Sequence, residues 1–103
     1  MKIIAIEKEV SGVADEQFTP SRLKSEATRV WELHQEGVIR ELYFRQDKSE
    51  AVLILECSNA KEASAALGTL PLVKQGLISF DLIPLVPYPG FARLFYEPKQ
   101  GEE

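Results

Sequence analysis

Glu26 and His34 are the residues of this chain best suited to moving a proton. Both are titratable side chains that interrupt the apolar stripe of one predicted helix. A glutamate or histidine in a dry pocket has a shifted proton affinity and can act as acid or base at neutral pH. The two residues are eight positions apart, so on a helix they lie roughly 12 Å apart along the axis. They cannot contact each other, but they would face opposite ends of one small ligand held beneath the helix.

Each of these residues also has an interpretation without chemistry. Glu26 follows Arg22 by four residues and precedes Arg29 by three, which is the spacing of a surface ion pair. A single histidine on an apolar stripe is more often a hydrogen-bonded core or interface residue than a catalyst. The sequence leaves both alternatives open.

The segment after the helix adds three candidates for substrate binding, which are Arg40, Tyr43 and Arg45. An arginine in a pocket can hold a carboxylate through two hydrogen bonds. Arg40 would reach the space beneath the helix if its strand face is the one that the helix covers. Alternatively, Arg40 is a strand-end charge in solvent. Tyr43 and Arg45 alternate to the other strand face, which favours a position in a subunit interface.

The helix that positions the two proton-transfer candidates is predicted over residues 19–37. Thr19 is a suitable N-cap, and Pro20 suits the first helical position because its missing N–H costs nothing there. Gly37 can adopt the left-handed conformation that ends a helix. At 100° per residue, the predicted inward stripe consists of Leu23, Ala27, Val30 and His34.

The remaining pattern predicts four strands, at residues 2–10, 38–45, 51–57 and 77–83. Asn59 caps a second helix, with Glu62 as its capping-box partner, and this helix ends near Leu67. Residues 69–76 form a proline-containing connection. The order β-α-β-β-α-β is the ferredoxin-like arrangement of the α+β class, a four-stranded antiparallel sheet with two helices on one face.

The third predicted strand is apolar on both faces, which suggests that neither face meets water. Antiparallel strands with one wet face normally alternate apolar and polar residues. Both helices already cover one face, so the other face needs a different cover. The sequence therefore predicts a homodimer in which two sheets pack against each other.

Residues 84–96, PLVPYPGFARLFY, are too apolar for a free terminus. Their three prolines predict an extended arm rather than a helix. We expect the arm to dock on a neighbouring subunit, although it could instead fold back on its own helices. Residues 1–97 are predicted to form a single domain, and residues 98–103 a disordered tail. The docking side chains of the arm would be Phe91, Leu94, Phe95 and Tyr96.

Composition argues against several classes of function. The chain has 103 residues and a net charge of −4, and its Lys and Arg residues are scattered, so we expect no nucleic-acid partner. It has neither a membrane-spanning apolar run nor a signal peptide, which predicts no membrane partner and a cytoplasmic location. One cysteine and one histidine argue against a metal site. The absence of a P-loop and of a dinucleotide glycine fingerprint predicts no bound cofactor.

Two segments, LKSEATRVWELHQEGVIRELYFR and SNAKEASAALGTLPLVKQGLISFDLIPLVPYP, resemble the muconolactone isomerase family of the dimeric α/β-barrel superfamily. The resemblance covers about residues 20–89. It departs from the family pattern where Val38 and Ile39 replace a bulky aromatic residue and where His34 replaces a glutamine. The residues that carry the resemblance are Leu23, Lys24, Glu26, Glu32, Leu33, Gly37, Arg40, Leu42, Arg45, Leu67, Leu70, Pro71, Leu72, Pro84 and Leu85.

The resemblance implies a ferredoxin-like subunit, sheet-to-sheet dimers and larger ring assemblies. It also implies a cofactor-free proton shift on a small lactone carboxylate, in a pocket between the sheet and the helices. On this resemblance Glu26 is the proton carrier, and Arg40 or Arg45 holds the carboxylate. The expected ligand is a small organic acid or an aromatic-derived molecule. Two alternatives stay open: a cofactor-free monooxygenase of the same superfamily, and a non-enzymatic ligand-binding or assembly protein.

Overall fold

A computed structural model describes residues 1–97 of the 103-residue chain, so the predicted tail at 98–103 lies outside the described residues. The predicted strands agree with the observed ones to within one residue at each end. The strands are β1 (Lys2–Glu9), β2 (Ile39–Phe44), β3 (Ala51–Glu56) and β4 (Ile78–Pro84). The helices are α1 (Pro20–Gln35), α2 (Ala60–Leu67) and α3 (Pro71–Lys74), with 3₁₀ helices at Asp15–Gln17 and Gly90–Phe95.

The strands form one antiparallel sheet in the order β2-β3-β1-β4. Leu33 of α1 and Leu67 of α2 are buried in the same core as Ile3 of β1 and Leu55 of β3. Both helices therefore cover one face of the sheet, and the predicted α+β ferredoxin-like fold is confirmed. Among residues 1–97, no helix combines the length and hydropathy that crossing a bilayer requires.

The ends of α1 follow from its sequence. The hydroxyl of Thr19 accepts a hydrogen bond from the backbone N–H of Arg22 at 3.2 Å, which satisfies one of the free N–H groups of the first turn. At the other end Gly37 has φ of +81°, and the N–H of Val38 donates to the carbonyl of Leu33 at 3.0 Å. This Schellman ending satisfies the carbonyl of Leu33, which has no partner within the helix.

The buried side of α1 is rotated by about a quarter turn from the predicted stripe, at 100° per residue. Leu33 is buried, and Glu26 and Val30 are half-buried, whereas Ala27 and His34 are exposed. The prediction failed because it assigned Glu26 to the edge of the stripe. The structure instead gives the Glu26 carboxylate a backbone partner, so this polar side chain is accommodated beneath the helix.

The connection between α2 and β4 is more regular than predicted. It contains α3, which begins at Pro71, where the missing N–H again falls at a helix start. Strand β2 carries a bulge between Ile39 and Glu41. The bulge places Ile39 on the same face as Leu42, which overturns the predicted alternation of this strand.

The face of the sheet away from the helices carries apolar side chains from three strands. The pairing register places Ile6 opposite Val52 and Ile4 opposite Ile83. None of these four residues is fully buried, and the side chain of Ile83 is 43% exposed. The described chain therefore leaves an apolar sheet face in solvent.

The segment after β4 projects its large side chains into solvent. Phe95 is 84% exposed and Leu94 is 75% exposed, so the arm does not fold back to bury these side chains against its own helices. The prediction that the prolines forbid a helix was wrong, because the 3₁₀ helix Gly90–Phe95 begins directly after Pro89, the last proline of the arm.

Candidate functional site

A cavity of about 420 Å³ lies between α1 and the helix-covered face of the sheet. Its walls are mostly aliphatic and aromatic, and they include Val30 from α1, Leu53 from β3 and Phe80 from β4. Two carboxylates interrupt these walls: Glu26 from the helix and Glu7 from β1. The cavity therefore joins an apolar space, suited to a small organic molecule, with two groups that can carry a proton.

Glu26 is anchored in this cavity by the backbone of α3. Its Oε1 accepts a hydrogen bond from the N–H of Leu72 at 3.0 Å. Leu72 is the second residue of α3, so its N–H has no partner within that helix. The carboxylate thus caps α3 from 46 residues away in the chain. The predicted alternative, an ion pair with Arg22 or Arg29, is not formed.

The electrostatic setting of Glu26 favours its protonated form. Burial raises the pKa of Glu26 above its ordinary value, and the hydrogen bond from Leu72 only partly opposes this effect. Neither basic neighbour on α1 reaches the carboxylate. Arg22 donates to the carbonyl of Gln17 at 2.8 Å, and Arg29 donates to the hydroxyl of Thr69 at 2.9 Å.

Glu7 forms the opposite wall and was missed by the sequence reasoning. Its Oε1 accepts a hydrogen bond from the backbone N–H of Ala51 at 3.0 Å. Burial raises the pKa of Glu7, and the negative charges of Glu50 and Glu26 raise it further, while the Ala51 N–H lowers it. The signal was present in β1, because Glu7 shares the inward face of the fully buried Ile3 and Ala5.

His34 lies outside the cavity, so the prediction that it faces a ligand beneath α1 is wrong in position. Its Nδ1 lies 2.8 Å from the carbonyl oxygen of Ile39, and its ring lies 6.0 Å from that of Trp31, centroid to centroid. The inward face of α1 is centred near Glu26 and Leu33, so His34 turns toward the outer surface. It ties the end of the helix to the start of β2.

Arg40 also lies away from the cavity. The sequence predicted that it would reach the cavity if the helices covered the Leu42 face of its strand. The helices do cover the Leu42 face of β2, but the bulge moves Arg40 out of that alternation. Its Nε donates to the carbonyl oxygen of Gly37 at 2.6 Å, and the side chain is exposed. In this subunit Arg40 therefore does not face a substrate beneath α1.

Arg45 and Tyr43 are engaged with acidic neighbours. Arg45 makes two hydrogen bonds to the carboxylate of Asp47, at 2.9 and 2.6 Å, which hold the pKa of Asp47 below its usual range. The strand at Tyr43 borders the cavity, but its register with Val52 directs the side chain to the opposite sheet face. There its hydroxyl donates to Glu41 at 2.7 Å.

A second cavity of about 550 Å³ adjoins the first and shares Glu7, Phe44 and Ile78 with it. Its wall adds the carboxylates of Glu9, Asp15 and Glu50. Within residues 1–97, neither cavity is lined by a lysine or an arginine. This part of the subunit therefore has a negative character, which favours uncharged or cationic ligands over anions. The same residues contain no cluster of three side chains that could hold a metal ion.

Comparison with known proteins relates the chain to two enzymes through its fold. No protein-family model matches the sequence, and no curated protein matches it. The structure superposes on muconolactone isomerase with a TM-score of 0.67 at 17% identity, covering 86% of this chain and 92% of that one. It also superposes on 5-chloro-2-hydroxyhydroquinone dehydrochlorinase from Burkholderia phenoliruptrix AC1100, which was solved in complex with 2,5-dihydroxybenzoquinone. That match has a TM-score of 0.60 at 18% identity, covering 84% of this chain and 94% of that one.

At these identities the similarity establishes the fold. The family resemblance seen in the sequence is therefore confirmed at the level of the ferredoxin-like architecture that this chain shares with muconolactone isomerase.

Proposed function

From the fold that this chain shares with muconolactone isomerase, we propose that it is a cofactor-independent enzyme that moves a proton on a small organic molecule such as a lactone. The observation that supports this proposal most directly is the carboxyl group of Glu26 on the wall of a largely apolar cavity. Burial raises the pKa of this group, which brings it closer to the range in which a carboxyl both takes and returns a proton at neutral pH.

In the proposed reaction Glu26 acts as the base, and its hydrogen bonding supports this role. The Leu72 N–H holds Oε1, and no hydrogen bond from residues 1–97 occupies Oε2. Oε2 is therefore available to remove a proton from a carbon next to a carbonyl group. The aliphatic and aromatic walls would orient the substrate ring by contact and limit the entry of water. Return of the proton to a second carbon completes an isomerisation.

The charges around the cavity argue against an anionic substrate, so we propose an uncharged molecule such as a neutral lactone. A substrate carboxylate would lie near Glu26 and Glu7 with no cation from the described lining to offset the repulsion. Arg40 and Arg45, predicted to hold a carboxylate, are directed away from this space. A substrate-binding role for them, and a catalytic role for His34, would require the site of a neighbouring subunit.

The test uses α-angelica lactone, an uncharged lactone whose isomerisation to the β form requires only a proton shift. Turnover is followed by ¹H NMR as the wild-type protein converts the α form. We expect Glu26→Gln to lower the rate about 10²- to 10⁴-fold, as for loss of a general base, because its amide can accept the Leu72 N–H but cannot take a proton. Glu32→Gln, on the exposed side of the same helix, is the matched control and should leave the rate unchanged. Equal rates for wild type and Glu26→Gln would contradict the assignment.

A second candidate function is the cofactor-free monooxygenase, which the aromatic walls Phe44 and Phe80 would suit through contact with a quinol ring. This function predicts oxygen uptake when the protein is mixed with substituted hydroquinones, whereas a lactone isomerase predicts none. An oxygen electrode distinguishes the two. Saturable ligand binding without either reaction would favour the third alternative, a ligand-binding or assembly protein.

We also propose that the chain associates with itself. The apolar sheet face opposite the helices is explained by a second copy of the same face, as in a homodimer with two-fold symmetry. The exposed aromatic side chains of the arm, Phe91 and Phe95 among them, would then dock on a neighbouring subunit. Large exposed apolar patches of this kind mark interaction surfaces. The cytoplasmic location stays a prediction from the sequence.

A further inference from the structure

Glu7 and Glu26 face one cavity from opposite layers of the fold, one from the sheet and one from the helix layer. Each carboxyl is anchored in the same way, because its Oε1 accepts one backbone N–H at 3.0 Å. No hydrogen bond from residues 1–97 reaches the Oε2 atom of either group. The cavity therefore has one available carboxyl oxygen on each side.

The structural role of Glu7 does not require its charge. The N–H of Ala51 needs an acceptor where the pairing of β1 with β3 ends, and a glutamine oxygen would serve equally. The groups that face Glu7 are acidic: Glu26 from α1 and Glu50 from the turn before β3. The nearby cations are already paired, because Lys48 and Arg45 lie 3.2 and 3.8 Å from Glu50. Two carboxyls that line one cavity, with no cation to offset their charges, favour the protonated form of one of them.

We propose that Glu7 is a second acid–base group, which acts on the side of the substrate opposite to Glu26. This inference rests on the proposed isomerase function. Glu26 removes a proton from one carbon of the substrate as a carboxylate, while Glu7, as the carboxylic acid, gives a proton to another.

The step is balanced without an oxidant, a reductant or a co-reactant. In α-angelica lactone the C–H bond at position 3 breaks, and its electron pair forms the new double bond between positions 3 and 4. The electrons of the old double bond form a C–H bond at position 5 with the proton of Glu7. Glu26 ends as the acid and Glu7 as the carboxylate. Glu26 then loses its proton to water and Glu7 takes a proton from water, which restores the starting state.

A lactone that carries deuterium at position 3 distinguishes a mechanism with two acid–base groups from a mechanism with one. If Glu26 alone carried the proton, part of the deuterium from position 3 of a labelled lactone would reappear at position 5 of the product. With two groups, the hydrogen at position 5 in wild-type product comes from ordinary water. We expect Glu7→Gln to lower the rate about 10²-fold or more, as for loss of a general acid. Any residual product from Glu7→Gln should carry transferred deuterium. Glu62→Gln, an exposed glutamate of α2 that lines neither cavity, is the control and should behave as wild type.

A measurement on the protein alone tests the pairing whatever the substrate is. The side-chain carboxyls of Glu7 and Glu26 are followed by ¹³C NMR through a pH titration of wild type, Glu7→Gln and Glu26→Gln. We expect removal of either charge to lower the titration midpoint of the remaining carboxyl, because the two repel each other across the cavity. Thermal unfolding of the variants checks that each one folds.

The outcomes separate this inference from the proposed function. A titration midpoint that does not move when the opposite carboxyl is removed overturns the pairing. Glu7→Gln with wild-type rate and label pattern, beside an inactive Glu26→Gln, also overturns it while leaving the isomerase proposal intact. If Glu26→Gln turns over as wild type does, the isomerase proposal fails, and the inference about Glu7 fails with it.

Discussion

Truncation of Ile83 should weaken self-association through the open sheet face. Ile83 lies on the edge strand β4, opposite Ile4, within the apolar surface that the helices do not cover. Its side chain is 43% exposed in the single subunit, so a large part of its apolar area remains to be buried by a partner. The change Ile83→Ala removes most of that area and introduces no charge.

The expected size follows from the exposed fraction. Full burial of an isoleucine side chain contributes about 1.5–3 kcal/mol, so the exposed share of Ile83 corresponds to about 0.6–1.3 kcal/mol. In a two-fold symmetric dimer each copy contributes its own Ile83, which doubles the effect to about 1.3–2.6 kcal/mol. Because 1.4 kcal/mol is tenfold in a dissociation constant, Ile83→Ala should raise the Kd about ten- to eighty-fold.

Sedimentation velocity over a dilution series measures this Kd for wild type and variant. Leu23→Ala is the control, since Leu23 is 47% exposed but lies on α1, away from the open sheet face. It should leave the Kd within about twofold of wild type, which is clearly smaller than the tenfold or larger increase expected for Ile83→Ala. The reasoning is refuted if Leu23→Ala weakens the dimer as much as Ile83→Ala does. It is also refuted if the wild-type chain sediments as a monomer at every concentration.

Three further predictions concern the stability of the subunit. Glu26→Ala should lower the free energy of unfolding by about 1–3 kcal/mol in urea titrations, because the Leu72 N–H loses its acceptor, whereas Glu26→Gln should cost clearly less; equal losses would contradict the capping role. Thr19→Ala should cost about 1 kcal/mol in the same assay through loss of the α1 cap, and Ser21→Ala, two residues later on the exposed side of the first turn, is its control. Burial raises the pKa values of Glu7 and Glu26 above 4.5, so the folded state binds protons more tightly than the unfolded chain between 4.5 and the raised values, and their contribution to stability falls as pH rises through that window. The stability difference between wild type and the Glu7→Gln, Glu26→Gln double variant, measured in urea at a series of pH values, isolates this effect from Asp47 and Glu56, whose lowered pKa values act in the opposite direction.

The fold was predictable because its signals are local. Thr19, Pro20 and Gly37 set the ends of α1, and alternating apolar residues set the strands to within one residue. The short helix α3 was missed, since four residues starting at a proline give too little periodicity to recognise. Which side of α1 is buried was also missed, because it depends on a partner for Glu26 that lies far away in the chain.

The site was only partly predictable, because its geometry depends on features that a sequence period does not contain. Arg40 follows the predicted alternation until the bulge in β2 removes it from the inward face, and a bulge leaves no clear trace in residue types. Glu7 shows the opposite case. It continues the inward alternation of Ile3 and Ala5, and a charged residue at the third inward position of a buried strand is costly unless it is hydrogen-bonded or functional. Charged residues that keep the period of a core strand are therefore better starting points for locating a site than those that break an amphipathic helix.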